Sequence, residues 1–194
     1  FDTVFILSNS DRATFTGLAS GAKNRIGFVA DSRLRSLLLT KRSKWDRVKT
    51  PHFVEYNLQL LTDSGLDIID PGLSMPIPIE LRKDLKERFS ITGERKRVVI
   101  HPGSRGPLRH WGAANYIAVI NALSERCAIF LAAGPSEQEL IDEILGGLDR
   151  RPDIVTTDLG LIEFAALCSL SDLFIGNDSA PIHLAAASGT FVIG

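Results

Sequence analysis

The sequence has two cysteines in 194 residues, Cys127 and Cys168, and neither sits at a metal-ligand spacing. Both lie among apolar residues, so they read as small buried hydrophobes in a reducing compartment, not as a disulfide or zinc framework. No apolar run reaches the roughly eighteen residues that a membrane helix needs, and the first residues carry no leader pattern. Internal repeats and low-complexity tracts are absent. So is a G-x-x-x-x-G-K-[ST] loop, which sets aside an ATPase-type phosphate site, and so is G-x-G-x-x-G. The second half is short of positive charge. Residues 98–194 carry 5 Lys and Arg against 11 Asp and Glu, whereas 1–97 carry 17 against 12, so a net charge of −1 divides into −6 and +5. The stretch 33–49 alone holds seven basic residues and one acid. That asymmetry points to an anionic partner on the first half only.

What is present is ordinary for a globular chain: 44% hydrophobic and 23% charged residues, enough for a proper core. The length allows one large domain or two small ones. The chain opens on Phe1 in a strand-like run and stops at Gly194 after another, which reads as an interior piece of a longer protein. In the first half, "FDTVFILS" predicts a buried strand, "DRATFTGLASGAK" a short helix ending near Gly21, and "RIGFVA" a second strand. The basic stretch that follows reads as a loop with a helical turn. "HFVEYNLQLLTDSGL" places Phe53, Tyr56, Leu60 and Leu61 on one helical face and closes at Gly65. A stretch rich in Pro and charge, 71–96, marks the boundary. This predicts a first domain over 1–80, a linker over 81–96 and a second domain over 97–194. The second domain alternates five strands with four helices, from "RVVIHPG" to "TFVIG", which predicts a parallel sheet covered on both faces.

In an open parallel sheet, ligands bind beyond the carboxyl ends of the strands, so the chemistry is sought in two loops. In "HPGSRGPLRHW" (101–111), Gly103 and Gly106 allow close backbone approach, Ser104 offers a hydroxyl, and Arg105 and Arg109 offer forks for phosphate oxygens. In "GNDSAPIH" (176–183), Pro181 suits the first helical position and Ser179 or Asp178 can cap the helix. The helix mouth favours an anion. Asp178 would repel phosphate, so it either accepts from a sugar or ribose hydroxyl or orients the loop. His183 either donates to a diphosphate or sugar oxygen or is a satisfied core histidine. Taken together, the loops favour a nucleotide carrying a diphosphate.

The pair "VIHPGS…LRHW" and "LFIGNDSAPIHLAAASGT", with "FDTVFILSN…SGAKNRIGF" and "HFVEYNLQLLTDSGL" upstream, resembles the heptosyltransferases of glycosyltransferase family 9. The resemblance implies an α/β fold of the GT-B type, with two Rossmann-like domains and parallel sheets, both incomplete here. It implies inverting transfer of heptose from ADP-L-glycero-D-manno-heptose to the inner core of lipopolysaccharide, with no metal and no cofactor. The first domain would then serve the acceptor and the second the donor. Carried over by motif, the donor contacts are Gly103, Ser104, Arg109, Asp178, Ser179, Ala180 and His183, with a ribose-binding acid at or beside Ser136 and Glu137. His183 is the candidate stabiliser of the leaving group. The general base is expected upstream of this chain. Two departures stand out: Ala180 where the family has glycine, and Arg109 where it has lysine, which changes geometry but not charge. Arg42, Lys44, Arg47 and Lys49 are the candidate contacts to a lipopolysaccharide core or lipid A acceptor, or to the anionic inner face of the inner membrane. The resemblance places the protein in the cytoplasm, with no nucleic-acid partner. Another nucleotide-sugar donor, or a nucleotide-sugar-binding module without turnover, are the alternatives.

Overall fold

The computed structural model describes residues 1–8, 10–29, 33–44, 52–104, 106 and 109–194. The chain divides into two compact units, Phe1–Gly72 and Leu73–Gly194. Among the described residues, no helix is long and apolar enough to cross a membrane.

The first unit is a parallel sheet of β1 (Thr3–Ile6), β2 (Asn24–Phe28) and β3 (Lys41–Ser43), in that order. Helix α1 (Asp11–Ala19) starts at Ser10, whose Oγ accepts from the Ala13 N–H, and ends before Gly21 at φ +71°. Helices α2 (Arg33–Leu38) and α3 (Phe53–Asp63) follow. The core is Ile26, Phe28, Tyr56 and Leu60, with the rings of Phe28 and Tyr56 stacked at 3.9 Å. Two expectations need correction. Only Ile6 of β1 is buried, because β1 is the outer strand of this sheet. The basic stretch contains a third strand as well as a helical turn. Lys41–Ser43 has no apolar alternation to announce it, and hydrogen bonding holds it: Thr40 Oγ1 accepts from Arg25 N–H at 2.7 Å, and the Ser43 hydroxyl donates to Asp63.

The second unit begins with α4 (Ile79–Arg88) and continues as β4 (Lys96–His101), α5 (Ala113–Leu123), β5 (Cys127–Ala132), α6 (Gln138–Gly146), β6 (Ile154–Thr156), α7 (Leu161–Ser169), β7 (Leu173–Gly176), α8 (Ala180–Ala187) and β8 (Phe191–Ile193). The sheet order is β6-β5-β4-β7-β8 and every pairing is parallel. The alternation of strand side chains assigns the two faces. Val98, Ile100, Ile129 and Leu131 pack with Tyr116, Ile120, Ile141 and Ile144 of α5 and α6. Val99, Phe130 and Phe174 pack with Leu85, Leu167 and Ala185 of α4, α7 and α8. Cys168 is fully buried in that second cluster, and burial pushes its thiol up to about 12.

The expected linker is therefore structure. Residues 81–96 hold most of α4 and the start of β4. Ile77 and Leu85 are buried against α7, and the division falls at Gly72. The polar composition of "ELRKDLKER" hides this, because one leucine per turn is enough to dock a short helix. Leu85→Ala should lower the unfolding free energy by about 2–5 kcal/mol, the usual cost of truncating a buried leucine, as read by urea denaturation. A loss under roughly 0.5 kcal/mol, typical of surface positions, would mean that the segment is a free linker after all.

Candidate functional site

The site is laid out by strand register. In the parallel β4·β7 ladder His101 lies opposite Gly176, so the loops after these two strands leave the sheet side by side. Gly176 has to be glycine, because a Cβ there would come within 2.8 Å of the His101 carbonyl oxygen and within 2.7 Å of the Phe174 ring. β5 flanks β4 on the other side, and its loop runs through Gly134 into a short 3-10 turn, Pro135–Glu137.

These three loops and the start of α8 surround a cavity of about 840 Å³. Gly103, Ser104, Arg109, Ser136, Glu137, Ser179 and Ala180 all line it, so most of the residues singled out in the sequence are brought together. Phe164, Leu159 and Leu161 supply an apolar wall. Helix α8 opens on Ser179, whose hydroxyl donates back to Asn177 O at 3.3 Å and does not cap the helix. Its first turn therefore presents uncapped backbone to the cavity, the arrangement that favours an anion. Arg109 donates through Nη1 to Asp178 O at 3.1 Å, which ties the first loop to the second. His110 donates through Nε2 to Ser104 O at 2.8 Å.

Glu137 accepts from the Gly134 N–H at 2.7 Å, and its carboxylate lies over Gly103, where any Cβ would collide with it. The His101 Nε2 is 3.9 Å from Glu137 Oε2. Burial lowers the His101 pKa from its usual 6.5, and the Glu137 charge opposes the shift without reversing it. The Ser104 Oγ and His101 Nδ1 are buried with no hydrogen-bond partner among the described residues, which leaves polar capacity that a bound molecule can satisfy.

Asp178 and His183 stand apart from the cavity. Asp178 lines a second hollow of about 460 Å³, which shares Arg109 and adds Trp111 and Tyr116. His183 lines neither; its side chain is 72% exposed, 4.0 Å from Asp178 Oδ1. The alternative of a buried core histidine is thus ruled out. Arg42 and Lys44 are exposed in the first unit, while Arg47, Lys49 and Arg105 lie outside the described residues. Among the described residues, no three His, Cys, Asp or Glu side chains gather as metal ligands. Sequence reasoning missed His101 and Asn177. The clue to both was position, at or just past the carboxyl end of a strand.

The family model for glycosyltransferase family 9 (heptosyltransferase) matches residues 1–194. Lipopolysaccharide heptosyltransferase 3 of Escherichia coli is 37% identical over 147 residues, 72% of this chain and 43% of that protein. Among solved structures, a family 9 glycosyltransferase from Veillonella parvula superposes with a TM-score of 0.80 at 24% identity, over 98% of this chain and 56% of that one. ADP-heptose lipopolysaccharide heptosyltransferase II of Escherichia coli does so with a TM-score of 0.73 at 20% identity, over 99% and 61%. The chain thus spans about half the length of the relatives it matches, and its fold is α/β of their GT-B type.

The buried imidazole makes stability depend on pH. Because the folded pKa lies below 6.5, the unfolded chain takes up the proton first. The contribution is full above about 6.5 and is lost as the pH falls through that value towards the folded pKa. Thermal unfolding between pH 8 and 5 should show the parent losing Tm more steeply below 6.5 than His101→Gln. Parallel curves would mean that His101 titrates as it does in the unfolded chain.

Proposed function

The chain belongs to glycosyltransferase family 9, and from that premise we propose that Leu73–Gly194 is the donor-binding half of a heptosyltransferase that acts on the lipopolysaccharide inner core. The observation that carries this reading is the convergence of Gly103, Ser104, Arg109, Glu137 and the uncapped α8 mouth on one cavity at the carboxyl ends of β4, β5 and β7. The proposed donor is ADP-L-glycero-D-manno-heptose; the name of one relative carries ADP-heptose. The diphosphate faces Arg109 and the first turn of α8, and Ser104 Oγ supplies a further hydrogen bond. Glu137 keeps Oε2 on the Gly134 N–H and accepts from a ribose hydroxyl through Oε1. Asp178 takes a sugar hydroxyl, and Ala180 sets the closest backbone approach.

The reaction is an inverting displacement. An acceptor hydroxyl oxygen attacks the anomeric carbon from the face opposite the diphosphate, the C–O bond to the diphosphate breaks, and ADP leaves with its electron pair. The hydroxyl proton passes to a general base. Arg109 and the helix mouth meet the charge that builds on the leaving diphosphate. This electrostatic work is done by groups already in place, and the transfer is proposed to need no metal. His183, which does not line the cavity, is proposed on the family motif alone to meet charge that appears only as the bond breaks.

The first unit is proposed to serve the acceptor. Arg42 and Lys44, together with the charges of Arg47 and Lys49, are proposed to attract the phosphorylated acceptor or the anionic cytoplasmic face of the inner membrane. Each Lys or Arg near such a surface contributes about 1 kcal/mol, falling off within a Debye length.

Calorimetry on the full-length protein should show ADP bound more tightly than UDP or GDP; a preference for UDP would sink the heptose assignment and leave the fold untouched. Arg109→Ala should weaken ADP-sugar binding by about 1.5–3 kcal/mol, the range for a hydrogen bond to a charged group. His183→Ala should lower turnover more than donor affinity, and normal turnover would remove it from the mechanism. Neutralising Arg42, Lys44, Arg47 and Lys49 together should weaken binding to anionic vesicles and raise the acceptor KM at low salt, with donor affinity unchanged. Unchanged vesicle binding and acceptor KM would make the stretch a solvated surface.

A further inference from the structure

One buried amide ties together two of the three loops that meet at the cavity, those after β4 and β7. Asn177 directly follows β7 and is 6% exposed. Its Nδ2 donates to Pro102 O at 2.6 Å and to Gly103 O at 3.5 Å. Its Oδ1 accepts from the Trp111 backbone N–H at 3.1 Å and from the Tyr116 hydroxyl at 3.0 Å. All four hydrogen-bonding positions of the amide are used. Its orientation is fixed by chemistry, since carbonyl oxygens can only accept and a backbone N–H can only donate. The Tyr116 ring packs edge-on against Trp111 at 5.1 Å, which holds the phenol in place.

We propose that Asn177 is a positioning residue for the donor site, an inference that rests on the donor-site reading above. The segments it joins carry the contacts assigned to the diphosphate. Pro102 and Gly103 precede Ser104. Trp111 follows Arg109 by two residues. Ser179 and Ala180 follow Asn177 itself and open α8. Backbone loops above a sheet have few side chains with which to fix their spacing, so a fully satisfied buried amide between them sets it. Aspartate, of the same size, would turn a negative oxygen towards two carbonyls. Alanine would leave two carbonyls, an N–H and a hydroxyl without partners, each a costly loss when buried. The Gly134–Glu137 turn is held separately, by its own hydrogen bond, and Asn177 makes no hydrogen bond to it. The clasp therefore acts first on the phosphate contacts, and it meets Glu137 only where that carboxylate lies over Gly103.

The test uses the full-length protein with Asn177→Ala, Asn177→Asp and Tyr116→Phe, titrated with ADP and with adenosine, and followed by amide hydrogen exchange. ADP should weaken about tenfold or more in both Asn177 variants and two- to fivefold in Tyr116→Phe, while adenosine stays within twofold in all three. Exchange should quicken in 102–111 and 177–183 and remain unchanged in β5 and α6. Asn177→Asp keeps side-chain size and Tyr116→Phe keeps the ring, so the test survives an Asn177→Ala chain that fails to fold. ADP affinity within twofold of the parent in the Asn177 variants would overturn the positioning role alone. So would equal weakening of ADP and adenosine, which marks a general packing role. A parent that binds no ADP would overturn the donor-site reading, and this inference with it.

Discussion

The parallel pairing of β4 with β7, with His101 opposite Gly176, is the constraint on which the rest of the second unit depends. β4 is the middle strand, and the chain leaves it in one direction to build β5 and β6 and returns on the other side to build β7 and β8. Where the order reverses, two neighbouring loops diverge to opposite faces and leave a crevice at the strand ends. The close approach at Gly176 keeps the two strands in contact up to their last residues. Everything assigned to the donor is attached to those two ends or to the neighbouring end of β5.

Charge is distributed to suit that arrangement. The second half of the chain is acidic, yet its cavity contains a guanidinium, a helix start that Ser179 does not cap, and two buried polar atoms with no hydrogen-bond partner among the described residues. The acids nearest to it are constrained. Glu137 is held to Gly134, and Asp178 faces the neighbouring hollow. On the proposed reading, a diphosphate would meet the Arg109 guanidinium and the α8 mouth in an otherwise acidic half of the chain.

Most of the second unit was legible because its strands are continuous apolar runs and its helices sit between them, and the two loops were legible because chemistry in such a sheet belongs at the strand ends. β3 was not, because Lys41–Ser43 is held by hydrogen bonds and not by apolar alternation. Helix α4 was misread as a linker because a single buried Leu85 docks it among charged neighbours. Phe53 lies on the apolar stripe of α3 yet is exposed, with its ring stacked on Tyr56 at 5.4 Å. Asn177 was quoted but not singled out. Nothing in an asparagine's identity shows that four partners distant in sequence will surround it; that depends on the register that brings 102, 111 and 116 to its side.

The account stands most directly on where ADP binds. Hydrogen exchange on the full-length protein with and without saturating ADP would locate it. The account predicts protection in 101–106, 133–138 and 177–183, with β1 and α1 unchanged. Protection of the apolar hollow beside β1 and α1, or of none of these three loops, would contradict it.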